Sequence, residues 1–268
     1  MKKILLPTDF SKNSKRAMDF ATSLFAKEDC KFYVLHAYQK TTSVERGESA
    51  SQQKLQNLIS GLNGRKNRNH RFEAIFMHEI PVNAINVSII DKDVDFMVMG
   101  TKGATALAKI FMGSTAVSVL RHINNCPIIV VPENYDERPI EEIVFVNDFK
   151  HLFRMEELYP LKYLVKIRNA MLIIVRFNTS EALKDQQKLN RELLKNNLAQ
   201  VPHHFKTVPL EASVSSSINN LLEQHKGVGI VALLKSKHSF LEKLLWEPVI
   251  RNVAFTTKVP LLVLPNFD

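Results

Sequence analysis

The feature that most constrains this chain is an alternation of short aliphatic runs with amphipathic helical patterns, met twice along its length. In the first half, runs such as Ile4-Leu5-Leu6 and Ile128-Ile129-Val130-Val131 are separated by stretches with apolar residues at the i, i+3, i+4 spacing of a helix. Strands that are aliphatic at every position are typical of a sheet buried on both faces. The order β-α-β-α-β-α-β-α-β therefore predicts an open, mostly parallel five-stranded sheet with helices on both faces.

The second half of the chain repeats this plan. The segment 98–132 aligns on 231–265 without a gap, and Thr8-Asp9-Phe10 corresponds to Asn147-Asp148-Phe149. An internal duplication explains both correspondences. The charged, proline-containing stretch 133–139 is typical of a linker. We therefore predict an α/β chain of two tandem five-stranded domains, residues 1–133 and 140–268.

Charge and composition limit the cellular location and the binding partners that we expect for this chain. The formal net charge of +9 is spread over both halves, and the densest basic stretch, 65–71, has no interleaved aromatic residue on which a base could stack. We interpret that stretch as a solvated loop, with a polyanion patch as the alternative. No apolar run approaches the roughly 20 residues of a membrane span, and Pro7 and Asp9 interrupt the N-terminal aliphatic run. We expect a cytoplasmic protein that binds neither nucleic acid nor membrane.

A loop after the fourth predicted strand holds three of the chain's eight glycines. It reads Gly100-Thr101-Lys102-Gly103, then nine residues, then Gly113-Ser114-Thr115. Such a loop leaves the carboxyl end of a parallel strand and ends at a helix start, where open α/β sheets bind ligands. Backbone N–H groups converge on phosphate oxygens where no Cβ intervenes, and the helix start adds unsatisfied N–H groups. The hydroxyls of Ser114 and Thr115 and the charge of Lys102 would assist.

Three motifs resemble those of the universal stress protein family. Pro7-Thr8-Asp9-Phe10-Ser11 resembles the family's first strand end, Leu35-His36-Ala37 its second, and Gly-x2-Gly-x9-Gly-Ser its nucleotide motif. The resemblance covers nearly the whole chain as two domains in tandem, with motifs that are strong in residues 1–132 and weak beyond. It implies the adenine nucleotide alpha-hydrolase-like fold. In the first domain it implies binding of ATP, ADP or AMP, with Mg²⁺ carried by the phosphates.

The resemblance also implies roles for single residues. Asp9 would contact the adenosine, the backbone at Ala37 would hold the adenine edge, and the glycine loop would hold the ribose and phosphates. Alanine at Ala37 replaces the valine common in the family, a change that a backbone contact should survive. The predicted nucleotide-binding residues are Pro7, Thr8, Asp9, Ala37, Met99, Gly100, Lys102, Gly103, Gly113, Ser114 and Thr115.

These residues also have structural alternatives. Asp9 lies between a strand and a helix, where polar residues commonly serve as N-caps. Lys102 fits a solvated surface charge, and the three glycines fit turn positions.

The second half lacks the glycine motif. At the constant offset of the alignment, the counterparts of Gly100, Gly103, Gly113 and Ser114 are Leu233, Ser236, Trp246 and Glu247. A bulky ring and a carboxylate would fill the phosphate position and repel an anion. Asp148 keeps the position of Asp9 but, without the loop, better fits a helix cap. We expect one nucleotide site per chain, in the first domain.

Together these observations favour a nucleotide-binding regulatory protein of the stress response with an unidentified protein partner. The sequence offers no general base and no cluster of metal ligands, so we predict no catalytic residue, no metal site and at most slow ATP hydrolysis. An enzyme on the same α/β plan and a binding-only scaffold without nucleotide stay open. The aliphatic closing strands 128–131 and 261–264, each preceded by proline, predict an intramolecular pseudo-dimer, with a homodimer as a further option.

Overall fold

The computed structural model of the chain describes residues 1–39, 45–65, 67–102, 112–135, 137–178, 182–235 and 257–267. These residues divide into two compact units, the first ending at Glu133 and the second beginning at Asn134. The elements of the first unit are β1 (Lys2–Pro7), α1 (Lys12–Leu24), β2 (Cys30–Ala37), α2 (Glu45–Asn63), β3 (His70–Met77), α3 (Pro81–Lys92), β4 (Phe96–Gly100), α4 (Ser114–His122) and β5 (Ile128–Val131). Those of the second are β6 (Glu142–Val146), α5 (Met155–Arg168), β7 (Met171–Asn178), α6 (Asp185–Asn197), β8 (His203–Pro209), α7 (Val214–Gln224), β9 (Val228–Leu234) and β10 (Leu261–Leu264).

The first unit is built on a parallel sheet with strand order β3-β2-β1-β4-β5. Every residue of β4 and β5 is buried, as their continuous aliphatic sequences predict. The chain moves outward from β1 to β3 and then outward in the other direction through β4 and β5, so the strand order reverses between β1 and β4. Right-handed crossovers place α1 and α2 on one face and α3 and α4 on the other, and α3 contacts α4.

The second unit repeats the arrangement with order β8-β7-β6-β9-β10, again with every pair parallel. The strand order here reverses between β6 and β9. The predicted α/β class is confirmed, with five parallel strands in each unit. Ser236, Trp246 and Glu247, the replacements expected in the second half, lie outside the described residues.

The gapless alignment of the two halves is wrong by one residue on the fourth strand of each unit. Val98 pairs with Ile129 in the first unit. The alignment gives Val231 and Leu262 as the counterparts of these two residues, yet the residue that pairs with Leu262 is Ala232. Each of these two strands lacks polar side chains and is buried throughout, so no alternation of polar and apolar side chains fixes their relative register in the sequence.

Hydrogen bonds at the strand ends agree with the corrected register. The N–H groups of Thr101 and Lys235 make the same bond, each to the last carbonyl of the neighbouring strand, at 3.0 and 3.2 Å. The counterpart of Gly100 is therefore Leu234 rather than Leu233, and the counterpart of Thr101 is Lys235. A large side chain still replaces the glycine at this point of the second unit.

One glycine of the second unit is required by packing. A Cβ built on Gly229 would lie 2.6 Å from Cγ1 and 2.8 Å from Cα of Ile140, closer than real Cβ atoms approach other atoms. Ile140 belongs to the segment that enters β6, and the register of β6 against β9 shifts between Glu142 and Ile143. Gly229 therefore allows that segment to cross β9 at close range.

We predict opposite effects of two Gly→Ala substitutions on the free energy of unfolding. Gly229→Ala should destabilise the protein by about 1–3 kcal/mol, because the new methyl group overlaps the backbone of Ile140. Gly61→Ala, within α2 where a Cβ meets nothing within 4 Å, should stabilise it by about 0.5–1 kcal/mol through helix propensity. Urea unfolding followed by circular dichroism measures both, and a neutral Gly229→Ala would contradict the packing argument.

Candidate functional site

The turn that follows β1 is held by its own side chains. Thr8 continues the strand pairing, its N–H donating to the Leu35 carbonyl at 2.8 Å. Its hydroxyl then accepts from the N–H of Phe10 at 3.0 Å, and Asp9 Oδ1 accepts from the N–H of Ser11 at 3.1 Å. Phe10 adopts the left-handed conformation with φ of 62°. This turn leaves Asp9 exposed at the carboxyl edge of the sheet, two residues after Pro7.

The second unit contains the same turn. The N–H of Phe149 donates to Asn147 Oδ1 at 2.6 Å, the N–H of Lys150 donates to Asp148 Oδ1 at 3.1 Å, and φ of Phe149 is 61°. Asp9 and Asp148 are thus structural counterparts.

Neither of these aspartates caps a helix. Ser11 is the N-cap of α1 and accepts from the N–H of Ser14, whereas the N-cap of α5 is Arg154. The capping role considered for Asp9 and for Asp148 is therefore wrong.

Ala37 lies at the end of β2, one strand away from the turn. The N–H of Tyr38 donates to the Met77 carbonyl of β3, whereas the Leu35 carbonyl accepts from Thr8 on the β1 side. Backbone groups alternate sides along a strand, so those of Ala37 are directed to the β1 side. Because β1 ends at Pro7, the N–H and C=O groups of Ala37 lie beyond the last residue pair that β1 and β2 form. This orientation suits the backbone contact predicted for Ala37.

The loop after β4 returns to its own starting point at the head of α4. The N–H of Gly113 donates to the carbonyl of Thr101 at 2.7 Å. Gly113 is the N-cap of α4 and supplies no side chain to cap it, and Ser114 and Thr115 are exposed. Its φ of −69° and ψ of 160° suit any residue, so the backbone conformation does not require a glycine here. Gly103 lies outside the described residues.

The side chain of Asn13 organises the start of this loop. Its Oδ1 accepts from the N–H of Lys102 at 2.8 Å and from the Thr101 hydroxyl at 3.3 Å, while its Nδ2 donates to the Val131 carbonyl at 3.2 Å. Asn13 is 5% exposed. One buried amide therefore joins α1 to the ends of β4 and β5. The sequence analysis missed this residue, although it begins the apolar stripe that α1 continues with Ala17.

Asn13 also explains Gly100. A Cβ on Gly100 would lie 2.6 Å from Asn13 Oδ1 and 3.1 Å from its backbone carbon. The absence of a side chain at Gly100 is thus required by the first turn of α1, independently of any ligand. Met99, the preceding residue, is buried within β4.

Lys102 forms an ion pair with the end of the first unit. Its Nζ lies 2.8 Å from Glu133 Oε2, and its side chain is 14% exposed. The alternative of a freely solvated charge is wrong for this residue. An anion at this edge would share Lys102 with Glu133.

These groups lie at the edge of the sheet where the strand order reverses. The turn after β1 and the loop after β4 leave adjacent strands at the same carboxyl edge, the position of ligand sites in open α/β sheets. The N-terminal N–H groups of α4, without a side chain on the N-cap to satisfy them, give this edge a partial positive charge. Asp9 adds a carboxylate acceptor. The arrangement suits a ligand that combines hydroxyl groups with an anionic group.

The corresponding edge of the second unit is filled by side chains. Leu234 is buried where the first unit has Gly100. Lys235 is half-buried, and burial lowers the pKa of its amine to about 8. In the first turn of α5, Glu157 is fully buried and accepts from His151 Nε2 and from the N–H of Arg154, both at 2.9 Å.

Three further observations concern metal binding, the cysteines and membrane spans. Among the described residues, no group of three or more His, Cys, Asp or Glu side chains is placed to hold a metal ion. Cys30 and Cys126 are buried, and burial raises the pKa of both thiols, that of Cys30 to about 12. None of the helices within the described ranges combines the length and apolarity needed to cross a bilayer.

Comparison with known proteins identifies the first half. The sequence model of the Universal stress protein family matches residues 1–132. The first half of this chain belongs to the universal stress protein family. A universal stress protein of Methanocaldococcus jannaschii is 29% identical over 139 residues, which cover 48% of this chain and 81% of the relative. One from Thermus aquaticus is 28% identical over 144 residues, 48% of this chain and 98% of the relative.

Solved structures extend the likeness in fold to the whole chain. The crystal structure of a universal stress protein from Archaeoglobus fulgidus matches with a TM-score of 0.74 at 19% identity, covering 99% of this chain and 97% of that one. A Pseudomonas aeruginosa protein, described as functionally unknown, matches with a TM-score of 0.61 at 14% identity and covers 99% and 92%. At these identities the likeness concerns the universal stress protein fold alone.

We predict that Asn13→Ala destabilises the protein by about 2–4 kcal/mol. The change removes three hydrogen bonds, among them the one that the N–H of Lys102 donates to the Asn13 side chain and the one that this side chain donates to the Val131 carbonyl. Urea unfolding measures the loss. Asn86→Ala, at an exposed position of α3, serves as the control and should change the free energy of unfolding by less than about 0.5 kcal/mol. Equal effects of the two substitutions would refute the organising role of Asn13.

We also predict that Lys235→Met stabilises the protein in a pH-dependent way. The folded-state pKa of about 8 lies below the usual value of 10.5, so the native state binds fewer protons than the unfolded state between these values. Stability of the unsubstituted protein should therefore rise with pH across that window. The advantage of Lys235→Met, about 1–2 kcal/mol at pH 7 after allowance for partial exposure, should shrink from pH 8 upward.

Unfolding titrations at several pH values test this expectation. The same substitution at the exposed Lys258 is the control and should change stability little at any pH. An advantage of Lys235→Met that stays constant from pH 7 to 10 would show that the amine titrates normally.

Proposed function

We propose that residues 1–133 form a domain that binds one adenine nucleotide, ATP or its products ADP and AMP, and that residues 140–268 form a domain that does not. The observation that carries the proposal is that Asp9 and the start of α4, which has no side-chain cap, follow adjacent strands at the edge where the strand order reverses. Membership of the first half in the universal stress protein family supports the choice of an adenine nucleotide, which the sequence motifs imply.

In the proposed complex each part of the nucleotide has a chemically suitable partner. The carboxylate of Asp9 accepts hydrogen bonds from the ribose hydroxyls, and the backbone groups of Ala37 pair with the adenine edge. Pro7, Thr8 and Met99 frame the site between the ends of β1 and β4. The phosphates lie over the N-terminus of α4, with Gly103, Gly113, Ser114 and Thr115 as donors.

Charge at the phosphate end is shared between protein and metal. Lys102 reaches the phosphates by giving up part of its pairing with Glu133. Mg²⁺ enters with the nucleotide, coordinated by phosphate oxygens and water rather than by a set of protein ligands.

The absence of a site in the second domain follows from its own side chains. Leu234 is buried at the position of Gly100, and the half-buried Lys235 stands at the position of Thr101. Asp148 keeps the geometry of Asp9, but the neighbouring strand ends in Leu234 and Lys235 in place of Gly100 and Thr101.

We propose a regulatory role in the stress response, in which bound nucleotide alters contacts with a protein partner in the cytoplasm. Hydrolysis, where it occurs, is slow. The pairing of the two halves as a pseudo-dimer through residues 128–131 and 261–264 stays a prediction, as does a homodimer.

Calorimetric titration with Mg²⁺·ATP should give one site per chain. Asp9→Ala should weaken binding by about ten- to a hundredfold, because a charge-assisted hydrogen bond is worth about 1.5–3 kcal/mol. Asp148→Ala is the matched control, since its side chain makes the same turn in the second unit, and it should leave the affinity unchanged.

Two results would reject the proposal. Two equivalent sites per chain would show that the second domain is not degenerate. Equal losses for Asp9→Ala and Asp148→Ala would show that the turn acts on stability and not on the ligand.

A further inference from the structure

The outer strand of the first sheet, β3, has a partly open edge. The N–H groups of Cys30, at the start of β2, and of Tyr38, just after its end, donate to the carbonyls of Asn69 and Met77, so odd-numbered residues of β3 bond inward. By the alternation of a β-ladder, the backbone groups of the even-numbered residues point outward, away from β2. These residues are His70, Phe72, Ala74 and Phe76.

The beginning of this edge is covered by side chains of the chain itself. Asn63, the last residue of α2, accepts from the N–H of Phe72 at 3.0 Å through Oδ1 and donates to its carbonyl at 3.1 Å through Nδ2. The N–H of His70 donates to the carbonyl of Asn67 at 3.4 Å. Further along, no group in the described part of the chain pairs with the outward N–H and C=O of Ala74 and Phe76. The open edge therefore consists of residues 74–76.

A groove of about 490 Å³ lies beside the open edge. It is lined by Ser49, Gln52, Gln53, Leu55, Gln56 and Phe76. Four of these side chains, Ser49, Gln52, Gln53 and Gln56, follow the i, i+3, i+4, i+7 spacing of one helix face and are exposed. We call these four residues the glutamine stripe of α2. The stripe carries no charge, so two copies of it can approach each other even though the chain as a whole carries +9.

We propose that the chain self-associates through this edge, with β3 pairing antiparallel to β3 of a second copy about a two-fold axis at Ile75. In this register Ala74 faces Phe76 of the second copy, and Phe76 faces its Ala74. All four residues have outward backbone groups, so the pairing forms four hydrogen bonds. A small side chain opposes a large one at both positions, which suits close packing.

The flanking residues fit the same two-fold register. Arg71 of one copy faces Glu79 of the second copy, and the two-fold symmetry repeats the pair. Both residues are exposed, Arg71 within β3 and Glu79 two residues beyond its end. The two-fold axis is perpendicular to the sheet, so the glutamine stripes of both copies lie on the same face and meet across the seam. Asn63 limits the pairing to residues 74–76, because it already occupies the edge at Phe72.

The outer strand of the second unit is less suited to this role. β8 is bracketed by Pro202 and Pro209, residues that blunt a sheet edge. This contrast supplies a matched control. Leu172 donates to the Pro202 carbonyl, so Thr207 has outward backbone groups, as Ala74 does, and its side chain is exposed.

Sedimentation velocity over a wide range of protein concentration tests the proposal. The unsubstituted chain should show a reversible monomer–dimer equilibrium. Ala74→Pro should raise the dimer dissociation constant at least about tenfold, because proline removes an outward donor and obstructs the seam. Thr207→Pro should leave the dissociation constant unchanged. A chain that stays monomeric, or a dimer that both proline variants weaken equally, overturns the proposal, as does a dimer that neither weakens.

A charge reversal keeps the proposal testable where Ala74→Pro fails to fold. Arg71→Glu alone should weaken the dimer, because it places two carboxylates opposite each other. The double variant Arg71→Glu/Glu79→Arg should restore the original dissociation constant. Failure of the double variant to recover association overturns the assigned register. Neither measurement uses nucleotide, so the outcome is independent of the function proposed for the carboxyl edge.

Discussion

The buried amide of Asn13 is the interaction on which the carboxyl edge of the first sheet depends. It joins the first turn of α1 to the ends of two neighbouring strands through a single side chain. Gly100 is the other half of this arrangement, because α1 comes so close only where β4 carries no side chain. The start of the loop after β4, the ends of β4 and β5, and α1 are therefore held in place by the protein itself, without a ligand. The candidate site is the space beside them at the carboxyl edge.

The two units show how one plan supports different edges. Both keep the parallel sheet, the reversal of strand order and the same turn after the first strand. They differ where the turn faces the fourth strand, since Leu234 and Lys235 replace Gly100 and Thr101. A buried carboxylate, Glu157, lies in the first turn of α5, whereas the first turn of α1 presents the neutral Asn13. The same fold thus tolerates residue changes at the carboxyl edge of the sheet that alter which ligand could bind there.

Much of this organisation could be predicted from the sequence, for reasons that also explain the errors. Continuous aliphatic runs identify buried parallel strands, and the doubled pattern identifies two sheets. The same continuity conceals the register, which is why Leu233 was matched to Gly100 in place of Leu234. Asn13 went unnoticed because a single polar residue on an apolar helix face carries no motif. Its position at the head of that face was the available signal.

Phenylalanine at the left-handed position of both turns has a consequence for recognition. A left-handed residue other than glycine costs about 1–2 kcal/mol, and in the first unit the ring of Phe10 packs 4.4 Å from that of His36. A glycine in place of Phe10 would relieve the backbone strain but remove the contact with His36, and the turn would then adopt many conformations. The strained turn instead presents Asp9 on a preorganised backbone. A ligand that binds there loses little entropy in ordering the protein, so its affinity reflects the contacts that it makes.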